Sequence, residues 1–182
     1  MVEADVMFLQ LLVRSTSEME KLDNFLRVIW LECCGHNSGF HIKRGDEIAM
    51  DDIVGNVLIP KAKVSHDYDY GTTTRTFIKS VKVYDVDFDD DDDIVLLSRN
   101  EPLKIMCNIC NKKAATVLCS ICVWEGNSYF CNTCAKKHAK TCDDFEDYAR
   151  MDVVNSPRMG KCGYEGGSFD KERDGVYKER KK

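Results

Sequence analysis

No stretch of the chain approaches the ~20 consecutive apolar residues needed to cross a bilayer, and the apolar run Val6 to Val13 is interrupted by Gln10. The opening residues Met1 to Asp5 are acidic where a secretory leader carries a basic segment. A reducing, cytoplasmic setting is therefore expected. Positive charge is also in short supply: 26 Lys and Arg stand against 31 Asp and Glu, for a formal net charge of -5. A surface of that sign repels phosphate backbones unless basic residues gather on one face. Catalytic signatures are missing as well. No HExxH spacing accompanies His36, His41 or His66, and no nucleophile motif lies near them. Gly71 followed by three threonines lacks the lysine and the flanking glycine of a phosphate-binding loop.

What the chain does have is 43% hydrophobic residues, enough for a real core, and ten cysteines. In a reducing compartment clustered cysteines serve metal ions more often than disulfides. Val6 to Arg14 reads as a buried strand, ended by Ser15, Thr16 and Ser17. Ser17 and Glu20 have the spacing of a capping box. Met19, Leu22, Phe25, Leu26, Ile29 and Cys33 then recur on one helical face, with Gly35 as the stop. Cys33 and Cys34 read as core or helix-end residues.

Phe40 to Ile42 reads as a short strand, and His66 to Tyr84 as a hairpin turning at Gly71. Asp85 to Asp93 holds seven aspartates, whose repulsion favours a solvated loop. The run lacks the glycine and the spaced glutamate of an EF-hand, although cation binding stays open. Ile94 to Ser98 is a further strand, and Pro102 marks the entry to the cysteine-rich region.

Within the first hundred residues, the order of the apolar strand, the helix LDNFLRVIWLECC, the GFHI strand, the HDYDYG hairpin and the LLSRNEP strand resembles the plasmid pRi open-reading-frame-three family. Members are also described as passenger proteins of an insertion element, and some carry a cysteine-rich extension ending in a segment like NSPRMGKCGYEG. The resemblance implies an α+β fold with helices against a mixed or antiparallel sheet, and no established activity. No serine nucleophile surrounded by arginines is present, so recombinase chemistry is not carried over.

From Cys107 onward, potential ligands come in four pairs: Cys107 and Cys110, Cys119 and Cys122, Cys131 and Cys134, then His138 and Cys142. A CxxC turn offers two sulfurs to one tetrahedral ion at about 2.3 Å, and two such pairs complete its shell. Eight ligands therefore make two sites, and zinc suits them, with iron or an iron-sulfur cluster as competitor. Seven thiolates and two dications would carry the net charge to roughly -8.

Two pairings are open. In a cross-brace, Cys107, Cys110, Cys131 and Cys134 hold the first ion, and Cys119, Cys122, His138 and Cys142 the second. Sequential pairing joins the first pair to the second and the third to the fourth. The cross-brace is preferred, and its order resembles a B-box-type finger, notably in YFCNTCAKKHAKTC. B-boxes usually end in two histidines, and here the last ligand is a cysteine. Cys162, beyond a proline-containing segment, is an alternative ligand in place of His138 or Cys142.

These readings divide the chain into an α+β domain over 1–99, a zinc-stabilised module of treble-clef or cross-brace type over 100–145, a C-terminal segment over 146–170 that packs back on the body, and a flexible tail over 171–182. With both shells full, no position is left for a catalytic water, and the metal is structural. The leading expectation is a non-enzymatic, zinc-binding protein-interaction module. Trp124, Tyr129 and Phe130 are either packing residues or partner anchors. A nucleic-acid-associated factor is the first alternative, resting on Lys112, Lys113, Lys136, Lys137 and Lys140. An enzyme with a pocket near His66, Tyr68 and Tyr70 is the second. No membrane partner is expected, and oligomeric state is left open.

Overall fold

The computed structural model describes residues 7–42, 46–87 and 92–167, with all of their side chains except Trp124 and Glu125. Val6, the middle of the aspartate run and the tail over 171–182 lie outside the described residues. The structure is α+β: small antiparallel sheets with a few helices. The chain separates into two compact units, Met1–Asn100 and Glu101–Lys182. Among the described residues, no helix is long and apolar enough to cross a membrane.

In the first unit, β1 (Leu9–Val13) pairs antiparallel with β6 (Ile94–Arg99), with a register shift between Gln10 and Leu11. A separate four-stranded sheet has the order β3-β2-β4-β5, built from β2 (Ser38–His41), β3 (Glu47–Ile48), β4 (Lys63–Tyr68) and β5 (Thr74–Lys79). The hairpin read from HDYDYG is β4–β5, in register from Lys63 opposite Lys79 to Tyr68 opposite Thr74; it begins before His66, and its second strand ends at Lys79 rather than Tyr84 because its partner β4 begins only at Lys63.

The helix α1 (Met19–Leu26) packs Met19, Leu22 and Leu26 into a core with Phe40, Val64 and Tyr68. It then passes into one π-helical turn, Arg27–Leu31, in which the amide of Glu32 donates to the carbonyl of Arg27 at 2.8 Å. The extra residue in that turn rotates the face, so Ile29, Trp30 and Leu31 are all buried although consecutive. The helix therefore ends before Gly35, and Cys33 lies beyond it.

The expected capping box does not form: Glu18 occupies the N-cap, with no side-chain cap. The first-turn donors are satisfied by a neighbouring loop instead, Met19 N–H to Asp52 at 2.9 Å and Glu20 N–H to Met50 at 2.8 Å. The Ser17 hydroxyl is thereby released to donate to the Asp93 carboxylate at 2.5 Å. This bond ties the end of the acidic run to the foot of α1.

Between β3 and β4, Val54–Val57 forms a single helical turn, α2. The described residues of the second unit contain a three-stranded sheet of order β8-β7-β9, from β7 (Val117–Cys119), β8 (Tyr129–Phe130) and β9 (Arg150–Asp152), the α-helix α3 (Asn132–His138), a 3-10 turn (Cys122–Glu125) and a π-helical turn (Phe145–Ala149). The segment after Cys142 thus contributes a strand to this unit's own sheet, with Leu118 opposite Met151.

Candidate metal centre

The first ligand pair sits in a tight turn closed by backbone bonds: the Cys107 amide donates to Lys113 at 2.9 Å, and the Asn111 amide donates to Cys107 at 2.9 Å. Asn111 takes φ 49°, a left-handed conformation that asparagine tolerates better than most residues. The turn is fastened beside β8, where Asn108 donates its amide to the Tyr129 carbonyl and accepts the Tyr129 amide on its side chain, both at 2.8 Å.

The second pair lies at the opposite end of the hairpin. Cys119 closes β7, and Cys122 opens a 3-10 turn that ends at Gly126, φ 78°. Cys131 follows β8 at the N-cap of α3, and Cys134 is in its first turn. His138 is the last residue of α3, and the Cys142 amide donates back to its carbonyl at 3.0 Å.

This layout sorts the ligands. In the β7–β8 ladder Val117 faces Phe130 and Leu118 faces Tyr129. Antiparallel pairing therefore sets Cys131 beside the start of β7, near the first turn, and leaves Cys119 at the far end beside Ser128. At about 3.3 Å per residue, the two ends are roughly 10 Å apart. The second pair finds partners only when α3 has carried the chain back along the hairpin.

Two groups of four result: Cys107, Cys110, Cys131 and Cys134, and separately Cys119, Cys122, His138 and Cys142. Within each group the candidate donor atoms all lie within 4.8 Å of one another. The helix α3 serves both, through Cys134 and His138. Cys162 joins neither group of four; it is exposed, in a turn at φ 47°.

The spacings suit a tetrahedral ion. Bonds of about 2.3 Å to sulfur and 2.0 Å to nitrogen imply edges of about 3.8 Å between sulfurs and 3.5 Å between sulfur and nitrogen. Cys110 and Cys131 Sγ are 3.9 Å apart, and Cys122 Sγ is 3.6 Å from His138 Nε2. The His138 ring is held flat against Phe130, centroids 4.3 Å apart, with Phe145 edge-on at 4.9 Å. Neither aromatic ring can move without disturbing that ligand.

Electrostatics point the same way. Burial pushes the Cys107 thiol up, but the amides of Cys110, Cys131 and Ile109 aimed at its sulfur more than offset this and hold it down at about 6. The amides of Lys112 and Lys113 lower Cys110 similarly. By contrast Cys134 is pushed up to about 12, by burial and then by the sulfurs of Cys107, Cys131 and Cys110. Burial, followed by Cys119 and Cys142, pushes Cys122 up to about 12. The first group thus ionises Cys107 and Cys110 readily and Cys134 only with difficulty, and in the second group Cys122 resists ionisation. A cation at the centre removes that conflict.

The other candidate residues are differently placed. His66 and Tyr68 are fully buried, with His66 Nε2 2.7 Å from Asp23 Oδ1 and the Tyr68 hydroxyl donating to Glu32 at 3.0 Å. Only Tyr70 of that trio is exposed, so the three do not line a common cleft. The five lysines are all exposed, Tyr129 is half-buried and Phe130 is buried. The Trp124 side chain lies outside what is described. The framing role of Phe145 was not read from the sequence, and only its place three residues after the last ligand hinted at it. Compared with protein-family models, with curated proteins and with solved structures, the chain finds no match.

Proposed function

We propose that the unit beginning at Glu101 is a two-zinc, cross-braced, treble-clef-like module with a structural and protein-binding role. The observation that carries this reading is the division of eight donors into two groups of four, each drawn from two separate pairs. Four protein ligands close a tetrahedral shell and leave no position for a reacting water. A fold-stabilising ion follows. Seven thiolates and one imidazole are soft enough to favour zinc over magnesium or calcium.

A protein partner is supported by the apolar residues at the two CxxC turns. Ile109, Ile121 and Val123 are exposed next to the candidate ligands, on turns that coordination of those ligands would hold rigid. Rigid exposed aliphatics make low-entropy contacts. We carry the resemblance of the first hundred residues to the plasmid pRi open-reading-frame-three family forward as a proposal, resting on the order of the motifs in the sequence.

The test is metal analysis of the purified full chain by X-ray fluorescence and mass spectrometry, followed by chelation. Zinc in both groups, with chelation exposing residues 101–167 to protease, is the expected result. Unchanged circular dichroism and protease resistance after complete metal removal would overturn the structural role. A salt-dependent shift of labelled DNA or RNA at physiological ionic strength would replace the protein partner with a nucleic acid.

A further inference from the structure

Outside the two groups of four, the first unit holds a second kind of donor cluster, at the point where the π-helical turn ends and the chain enters β2. Cys33 Sγ and Cys34 Sγ are 3.7 Å apart, and Cys34 Sγ is 3.0 Å from His36 Nε2. All three donor atoms fall within 4.8 Å of one another. We propose that Cys33, Cys34 and His36 hold a further thiophilic divalent metal ion, independent of the two ions of the second unit.

The sulfur separation matches the edge of about 3.8 Å expected for two thiolates on one tetrahedral ion. The sulfur–nitrogen separation is shorter than its ideal edge of about 3.5 Å, so the His36 ring withdraws by about half an ångström on loading. Its side chain is partly exposed, which leaves room for that movement. Three donors within four residues require the chain to fold back on itself. Gly35 does this at φ 76°, and its amide donates to the Glu32 carboxylate at 2.5 Å.

The loop is held from several sides. The Arg27 guanidinium donates to the His36 carbonyl at 2.9 Å and to Glu32 at 2.7 Å. The Cys33 amide donates to the Tyr68 hydroxyl at 3.3 Å, and the His36 ring stands edge-on to Tyr68, centroids 5.8 Å apart. Asp69 Oδ2 lies 3.6 Å from His36 Nε2 while accepting the Thr72 hydroxyl at 2.6 Å. Because it lies beside the donor nitrogen itself, this carboxylate adds negative charge next to the site and favours a cationic occupant. Anchoring of this kind lowers the reorganisation needed to bind, because the donors converge before the ion arrives. Three protein donors leave the fourth position of the shell to a water or to a further donor.

The test is a zinc and cobalt titration of the full chain beside a Cys33→Ser/Cys34→Ser variant, with ions counted by native mass spectrometry and folding checked by circular dichroism. The wild type is expected to bind one equivalent more than the variant, and His36→Ala to weaken that equivalent at least tenfold. Cys107→Ser is expected to leave it in place, which separates failure here from failure of the reading of the second unit. Equal ion counts in wild type and the folded double variant would overturn the proposal. Should the double variant fail to fold, Cys34→Ser alone, at an exposed position, carries the same comparison.

Discussion

Replacing Cys131 with serine discriminates between interleaved and sequential pairing, because both arrangements contain one four-thiolate site and one site with three thiolates and an imidazole. Cys131 is buried beside Cys107, Cys110 and Cys134. Serine there offers a harder oxygen that stays protonated, on a bond too short to replace sulfur. If an ion of the proposed kind contributes about 10–16 kcal/mol, an equal share per ligand is about 2.5–4 kcal/mol, or roughly 70- to 900-fold in affinity. The assay is visible absorption of the cobalt-loaded chain, in a Cys33→Ser/Cys34→Ser background so that only the second unit contributes. Interleaved pairing predicts loss of the four-thiolate spectrum, with the spectrum of Cys119, Cys122, His138 and Cys142 retained. Survival of a four-thiolate spectrum instead would mean that Cys107, Cys110, Cys119 and Cys122 share an ion, and the hairpin argument would be wrong.

Three further outcomes are expected. Asp23→Ala strips the buried His66 of its charged partner and should destabilise the first unit by about 3 kcal/mol, read in urea by Trp30 fluorescence in a Trp124→Phe background. In the wild type, hydrogen bonds from His66 and Ser38 outweigh the burial that would raise the Asp23 carboxyl, so its folded value lies below 3.8. Its contribution is therefore complete above about pH 5 and is lost as pH falls through 3.8 toward the lower folded value, so a first unit whose stability increases on acidification below pH 4 would contradict the assignment. Glu20→Ala should change stability by less than about 0.5 kcal/mol, whereas Ser17→Ala should cost about 1 kcal/mol through its bond to Asp93; thermal melts giving the reverse order would restore the capping box. Phe130→Ala should cost about 3–5 kcal/mol in the second unit and, by freeing the His138 ring, weaken the group of four that contains it; unchanged metal affinity there would show that the stacked ring does not position the ligand.

How much of this was legible beforehand follows from the range of the interactions involved. Helical periodicity identified α1, and short apolar or β-branched runs ended by polar breaks identified β1, β6 and the β4–β5 hairpin, because both are local signals. The capping box failed for a reason no local pattern contains. Its donors were taken by carbonyls of residues 50 and 52, 30 and 33 positions away. Likewise nothing in RVIWL announces a π-helical turn; it becomes favourable only because Ile29, Trp30 and Leu31 all find room in the core.

The metal ligands were legible as a set, since CxxC spacing is itself a short-range requirement of shared coordination. Their division was preferred in the sequence but not decided there, because it depends on a fact of topology: which end of a three-residue strand faces which end of its neighbour. Once Val117 faces Phe130, the first and third pairs are neighbours and the second pair must wait for α3. The same logic separates Cys33 and Cys34 from the eight. Adjacent cysteines have no spacing signature, and their reading as helix-end residues assumed a helix running to Gly35. The π-helical turn ends that helix at Leu31, and the four residues it releases are enough for Gly35 to fold His36 back against Cys34. One extra residue in a helical turn thus converts two ordinary helix positions into a donor cluster.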